Sequence, residues 1–385
     1  MSAEKFYRDT WAEVELSHID YNIKQLKTRL REDTGIYAVV KANGYGHGDI
    51  QVAKKALKAG AERLAVALLD EALKLRKAGI QAPILVMGWT RPEDAVLAAE
   101  HGIAVTVFQE EWLQSLPSNG FARPLLLHMK WDTGMGRIGI RSSDEMDRLL
   151  AEIKKNENLK LEAIFTHFAT ADETDTSYYH KQVERFESML KHLKADWPHE
   201  VEMHTGNSAA SMRFPEQMKH FVRFGISMYG LYPSPDVKEE QPIDLKPALS
   251  LQSRLTHVKK VEPGESLSYG ATYQAKEEEW IGTVPVGYAD GWIRKLQGFE
   301  VLVGGKKHPI VGRICMDQFM IKLDQEYSAG SQVTLIGKQG NDEVHTDDVA
   351  AYLETINYEI PCMISRRIPR MYLENGHIVE VENSL

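Results

Sequence analysis

IYAVVKANGYGHGD, residues 36–49, is an apolar, β-branched run that stops at a lysine and passes into three glycines, Gly44, Gly46 and Gly48. The run has the length and composition of a buried strand, and the glycines mark its sharp end and an open loop. Lys41 stands at the strand's end behind Val39 and Val40, so its amine emerges from an apolar wall. Lost hydration favours the neutral amine, which can attack a carbonyl. The alternative is a surface lysine that caps a strand; Tyr45 and His47, crowded behind Lys41, favour a working site.

Outward from this stretch the pattern repeats. Apolar runs at 63–68, 83–89, 103–108, 124–130, 159–168, 200–204 and 221–226 alternate with amphipathic segments at 49–60, 70–79, 92–102, 110–116, 143–155 and 177–194, and with a short helix after Asn207. A helix is also expected at 18–31, from the spacing of Ile19, Ile23, Leu26 and Leu30. Counting the run that ends at Lys41, there are eight strands. Near-continuously apolar strands separated by helices mark a parallel sheet covered by helices, and eight of them predict a (β/α)8 barrel of the TIM type. A doubly wound open sheet is the second choice.

Residues 232–247, YPSPDVKEEQPIDLKP, carry four prolines and mixed charge, the composition of a linker. Beyond it, β-branched segments at 249–261, 280–286, 299–302, 308–323, 332–336 and 367–381 surround one helix at 347–356, capped by Thr346. The expected organisation is a barrel domain at 1–240 and a mostly β domain at 241–385. The first residues, up to about position 12, are expected to pack with the second domain.

At 385 residues the chain exceeds what one compact core usually covers. With 43% hydrophobic and 26% charged residues it is ordinary globular material. A net charge of -9 without any basic tract argues against nucleic acid and anionic membranes as partners. Cys315 and Cys362 alone make neither a disulfide framework nor a zinc cluster, and no metal is expected. The chain shows no apolar leader, and no apolar run reaches the ~20 residues of a membrane span, so a cytoplasmic protein is expected.

Barrel enzymes carry their chemistry at the C-terminal ends of the strands and often hold a phosphate between the loops after strands seven and eight. The first of these loops is HTGNSAAS, with Ser208 at a helix start; the second is RFGIS, with Gly225 and Ile226 at a turn. Backbone N–H groups and a hydroxyl at such places suit a phosphate. A reactive lysine on strand one and a phosphate cup across the barrel mouth suggest pyridoxal 5'-phosphate (PLP), held on Lys41 as a Schiff base. Arg223, two residues before the phosphate turn, can donate a hydrogen bond to the ring nitrogen without releasing a proton, which leaves the pyridine neutral and a weaker electron sink. An ion pair at the barrel end is the other reading of Arg223.

The motifs VVKANGYGHG, HMKWDTGMGRIG, THFATAD, HTGNSAAS, RFGISMYG, SYGATY, PVGYADG, GRICMDQ and INYEIP run in this order over nearly the whole chain. Together they resemble the bacterial alanine racemases. The resemblance implies interconversion of L- and D-alanine on PLP, supply of D-alanine for peptidoglycan, and a head-to-tail homodimer whose sites borrow residues from the partner. Lys41 resembles the family's PLP-linking lysine, which also moves the α-proton on one face of the substrate. Tyr269, in SYGATY, resembles the base on the opposite face, contributed by the other subunit. A phenol is a poor base at its ordinary pKa of ~10, and His167 resembles the residue that links this tyrosine to Arg223.

The resemblance further implies cofactor contacts for Tyr45, Arg137, Asn207, Ser208, Arg223, Gly225, Ile226 and Tyr358. Arg137 also matches the residue near the substrate carboxylate, to which Met316 of the partner subunit resembles a backbone donor. Tyr288, Arg294 and Arg313 match positions along the family's access corridor, where positive charge steers a carboxylate inward; ordinary interface polar residues are their other reading. Lys130 matches a lysine that can react with CO2 to form a carbamate. A broad-specificity amino-acid racemase and a PLP-dependent amino-acid decarboxylase share the same barrel-plus-β plan; against the decarboxylase stands Arg223, where those enzymes pair the ring nitrogen with a carboxylate.

Overall fold

The computed structural model describes residues 6–383; of the N-terminal residues expected to pack with the second domain, 1–5 lie outside that range. The segment TWAEVE forms β1 (Thr10–Glu15), whose residues alternate between buried and partly exposed, the period of a strand. Eight strands follow: β2 (Gly35–Val39), β3 (Arg63–Val66), β4 (Ile84–Val86), β5 (Ile103–Val107), β6 (Leu125–Lys130), β7 (Leu159–Phe165), β8 (Glu202–Gly206) and β9 (Phe221–Phe224). They close in sequence order into a parallel barrel, with β9 pairing back to β2 and Tyr37 opposite Arg223. That pairing excludes the open sheet and establishes the TIM barrel. β2 and β5 are buried at every position, as strands filled on one side by neighbours and covered on the other by helices must be.

Local signals fix the helices between the strands. Ser143–Lys155 starts where the Ser142 hydroxyl accepts the Glu145 N–H at 3.2 Å, and buries the stripe Met146, Leu149, Leu150 and Ile153. The segment read as a linker is ordered instead. Its residues Pro235–Glu240 are helical, with Ser234 capping Val237 N–H and donating to Asp172 O at 2.6 Å. Tyr21 binds Asp244 at 2.6 Å, and Asn22 accepts from Lys246 N–H at 2.8 Å. Proline at the first turn of a helix is favourable, so a proline count alone overstates flexibility.

By its internal contacts the chain divides into two compact units. One holds residues His18–Gly44 and Asp49–Lys246; the other holds the residues up to Ser17, residues 45–48, and those from Pro247 onward. In the second unit an 11-stranded sheet assembles, among the described residues, from β1, β10 (Leu249–Arg254), β11 (His257–Val261), β14 (Glu279–Val284), β15 (Glu300–Val303), β16 (Lys306–Val311), β17 (Phe319–Leu323), β18 (Gln332–Gln339), β19 (Asp342–Val344), β20 (Arg370–Glu374) and β21 (His377–Glu382). A hairpin of β12 (Ser266–Leu267) and β13 (Tyr273–Gln274) stands apart from it. β1 lies inside the sheet, antiparallel to β10 and parallel to β20. The helix Thr346–Leu353 begins at Thr346 rather than being capped by it: His345 holds the cap position, and its N–H donates to Asp348 at 2.8 Å. Among the described residues no helix is long and apolar enough to cross a membrane.

Candidate active site

β2 ends at Val39, two residues before Lys41, and no open loop follows. Ala42, Asn43 and Gly44 take left-handed angles (φ 52, 55 and 59), and Tyr45 continues them at φ 50. Each non-glycine residue so held costs about 1–2 kcal/mol, so the surroundings must enforce the turn. Gly44 N–H reaches Val40 O at 2.9 Å, and Ala42 N–H is taken by the Glu71 carboxylate at 2.6 Å. The same carboxylate accepts from Ala67 and Leu68. Lys41 therefore leaves the strand on a braced turn rather than on a flexible loop.

Arg223, on β9, is 3% exposed. Nη1 donates to His204 O (2.5 Å) and His204 Nδ1 (3.0 Å); Nη2 donates to Thr166 O (2.7 Å), His167 Nδ1 (3.2 Å) and Thr205 O (3.2 Å). All five acceptors are neutral. Burial lowers this guanidinium to about 10, still protonated at neutral pH. Its Nε–H has no acceptor among the described residues. Desolvation, followed by the charges of Arg223, Lys130, Arg137 and Lys41, holds His167 well below the ordinary histidine range, so it is a neutral imidazole. Because arginine only donates, Nδ1 of His167 is the accepting nitrogen and Nε2 carries the proton.

Lys130 closes β6 and is equally buried, with no hydrogen-bond partner for Nζ among the described residues. Burial, with the charges of Arg223 and Arg137, pushes its amine down to about 8. Arg137 itself is exposed, on a loop folded around Asp132, whose carboxylate accepts from Gly134 (3.1 Å) and Gly136 (2.9 Å).

The two loops expected to hold a phosphate do meet. The Ser208 hydroxyl accepts the Gly225 N–H at 3.0 Å, which sets the start of Ser208–Arg213 beside the turn at Ile226–Tyr229. Asn207 commits its side chain to this junction, accepting from Ala210 N–H and donating to Phe168 O. These two bonds fix its side chain at the junction of the loops and use one of its two amide N–H groups. In the other unit, the rings of Tyr45 and Tyr358 lie 6.4 Å apart.

Tyr269 rides the tip of the β12–β13 hairpin, 71% exposed. Ser268, Gly270 and Ala271 around it all have positive φ (68, 75 and 49). Ser268 is tied to Arg313 O at 2.7 Å, and the Arg313 guanidinium packs where a Cβ on Gly270 would stand, 3.2 Å away. Met316 (53% exposed) and Tyr288 (42%) share the next turn, through Ala289 N–H to Met316 O and Tyr288 N–H to Cys315 O, both 3.0 Å. Arg294 is exposed at the start of a separate short turn.

The pattern of the alanine racemase N-terminal domain matches residues 14–233, and that of the alanine racemase C-terminal domain matches residues 248–372. The chain is 56% identical to alanine racemases of Geobacillus kaustophilus (over 99% of either chain) and Geobacillus stearothermophilus (99% of this chain, 97% of the relative). It superposes on the crystal structure of alanine racemase from Bacillus anthracis with bound L-Ala-P at a TM-score of 0.96, with 51% identity over 99% of both chains. The chain belongs to the alanine racemase family. Its activity is interconversion of L- and D-alanine, an isomerase reaction, and not the broader racemase or decarboxylase alternative.

The residues present suit PLP, the cofactor of the alanine racemase family. A buried cation with one N–H to spare fits a pyridine nitrogen, and a hydroxyl beside a glycine turn fits a phosphate. The sequence reading missed His204 and His128, which extend the hydrogen bonding around Arg223. For His128 a signal was there, a histidine following three leucines in a barrel strand; His204 stands in EMHTG, where the sequence offers no such contrast.

Proposed function

We propose that the chain works as a PLP-dependent homodimer in the cytoplasm, supplying D-alanine for peptidoglycan, with Lys41 and the partner's Tyr269 on opposite faces of the substrate Cα. Lys41 would hold PLP covalently, the Arg223 Nε–H its ring nitrogen, and Ser208, Gly225, Ile226, Tyr45 and Tyr358 its phosphate. PLP, when bound, supplies the electron sink that makes the Cα–H of alanine acidic. Arg137 and the backbone N–H of the partner's Met316 orient the carboxylate. Tyr269 takes the proton of L-alanine, and Lys41 delivers one to the other face; D-alanine reverses the roles. The His167 Nε2–H stabilises the phenol oxygen while it is deprotonated.

The observation that carries the shared site is the 71% exposure of Tyr269, on a braced hairpin tip in the unit that does not contain Lys41. A base must touch its substrate away from water, so an exposed one on a rigid tip needs a second surface. Mixing Lys41→Ala with Tyr269→Phe tests this. In a C2 heterodimer one composite site carries both lesions and the other neither, so equal mixing should restore about a quarter of wild-type activity. Persistent inactivity despite demonstrated subunit exchange refutes the shared site.

A further inference from the structure

Behind Arg223 a line of polar side chains crosses the barrel. His204 Nε2 lies 2.9 Å from His128 Nδ1, and His128 Nε2 lies 3.0 Å from the Glu162 carboxylate. His128 and His204 are fully buried, while Glu162 is half-buried, 3.9 Å from the Arg63 guanidinium. Arg63 also binds Glu202 at 2.5 Å and the Tyr37 hydroxyl at 3.1 Å. Desolvation lowers the pKa of both histidines, His204 well below the ordinary range, so both are neutral and each has one proton to place.

The ends dictate where those protons go. Arginine cannot accept, so His204 Nδ1 must be bare and Nε2 must donate to His128 Nδ1. His128 then carries its proton on Nε2 and gives it to an ionised carboxylate, which can only accept. The opposite arrangement would set N–H against N–H at Arg223 and lone pair against lone pair at Glu162. Both ends reject it, and buried clashes of this kind are costly.

We infer that Glu162, His128 and His204 are positioning residues, a one-way hydrogen-bond line that orients the Arg223 guanidinium and through it keeps His167 in the Nε2–H tautomer. His204 fixes where Nη1 points. The planar guanidinium then has no freedom left: with Nη1 on His204 and Nη2 on His167, the direction of Nε–H is set as well. The link to catalysis rests on the proposed roles of Arg223 and His167; the tautomer pattern does not.

Long-range 1H–15N spectra of the wild-type protein labelled with 15N-histidine, with and without PLP, decide the pattern. His128, His204 and His167 should all be Nε2–H tautomers from about pH 7 to 9, above the ordinary histidine range. An Nδ1–H tautomer or an imidazolium at His128 or His204 overturns the inference. Kinetics test the link. Glu162→Leu removes the terminal acceptor and should lower kcat about tenfold in both directions with the KM for alanine unchanged. Glu162→Gln keeps an acceptor oxygen and should restore kcat to within about twofold of wild type. A Glu162→Leu protein that loses the tautomer order yet keeps wild-type kcat, or one that changes KM alone, overturns the positioning role. Should the PLP-loaded wild type fail to racemise alanine, the proposed function falls and the spectra still decide the line.

Discussion

The Lys130 amine lies 5.5 Å from the centroid of the Phe165 ring, buried and without a hydrogen-bond partner among the described residues, and it feels the charges of Arg223, Arg137 and Asp132. Both arginines repel a cation there, and Asp132 alone of the three charges favours one. The same setting favours the neutral amine, which can add to CO2 and become an anion that holds Arg137. We expect a carbamate carbon signal from Lys130 in 13C NMR with labelled bicarbonate, lost in Lys130→Ala. Because the amine titrates near 8, occupancy should fall as the pH drops through that value, where the ammonium form cannot attack. A free amine under saturating bicarbonate defeats this prediction.

Borohydride treatment in the presence of PLP should leave a pyridoxyl group on Lys41 and on no other lysine, as peptide mapping will show. Tyr269→Phe should retain PLP while losing α-proton exchange of L-alanine in deuterated solvent by 10²-fold or more, roughly the contribution of a positioned base. Exchange of the D-isomer should fall less. Equal loss for both isomers would remove the face-specific roles of Lys41 and Tyr269.

Gly48 has φ +98, and a Cβ there would sit 1.8 Å from the Tyr372 hydroxyl, which is held by Glu382 at 2.7 Å. Gly79 has φ +83 with nothing within 4 Å. Substitution by alanine should therefore cost about 1 kcal/mol at Gly79, from backbone conformation alone, and clearly more, ~2–4 kcal/mol, at Gly48. Thermal unfolding should show a larger drop for Gly48→Ala than for Gly79→Ala; equal drops would mean that Tyr372 yields freely.

Ser142→Ala removes the cap of Ser143–Lys155 and should destabilise the protein by about 1 kcal/mol. Ser142→Asp should recover most of that, since aspartate caps as well and suits the positive end of the helix. Chemical denaturation read by helical circular dichroism is the check.

What could be read from the sequence follows from how local each signal is. The barrel strands were legible because parallel strands need unbroken apolar runs, and Ser143–Lys155 because its apolar stripe lies within its own residues and its cap, Ser142, directly before them. The left-handed turn at Ala42–Tyr45 was not, since asparagine and glycine accept such angles but alanine and tyrosine disfavour them; Glu71, nearly thirty positions on, braces the turn. The β12–β13 hairpin has two-residue strands, too short for any period to register. His128 and His204 meet across 76 positions, and only the closed barrel brings them together.

β1 has a consequence for the order of synthesis. Its residue Ala12 pairs with Leu251 on one side and Arg370 on the other, in the interior of the large sheet. At a ribosomal rate of roughly 5–20 residues per second, Arg370 is made tens of seconds after Ala12. The strand made first waits through the synthesis of the whole barrel before its neighbours exist. A polypeptide beginning at Pro247 would bear β10 and β20 with bare edges facing an empty slot, which invites pairing with other chains. The large sheet is thus completed by the start of the chain, and its assembly cannot proceed as that of a free C-terminal module.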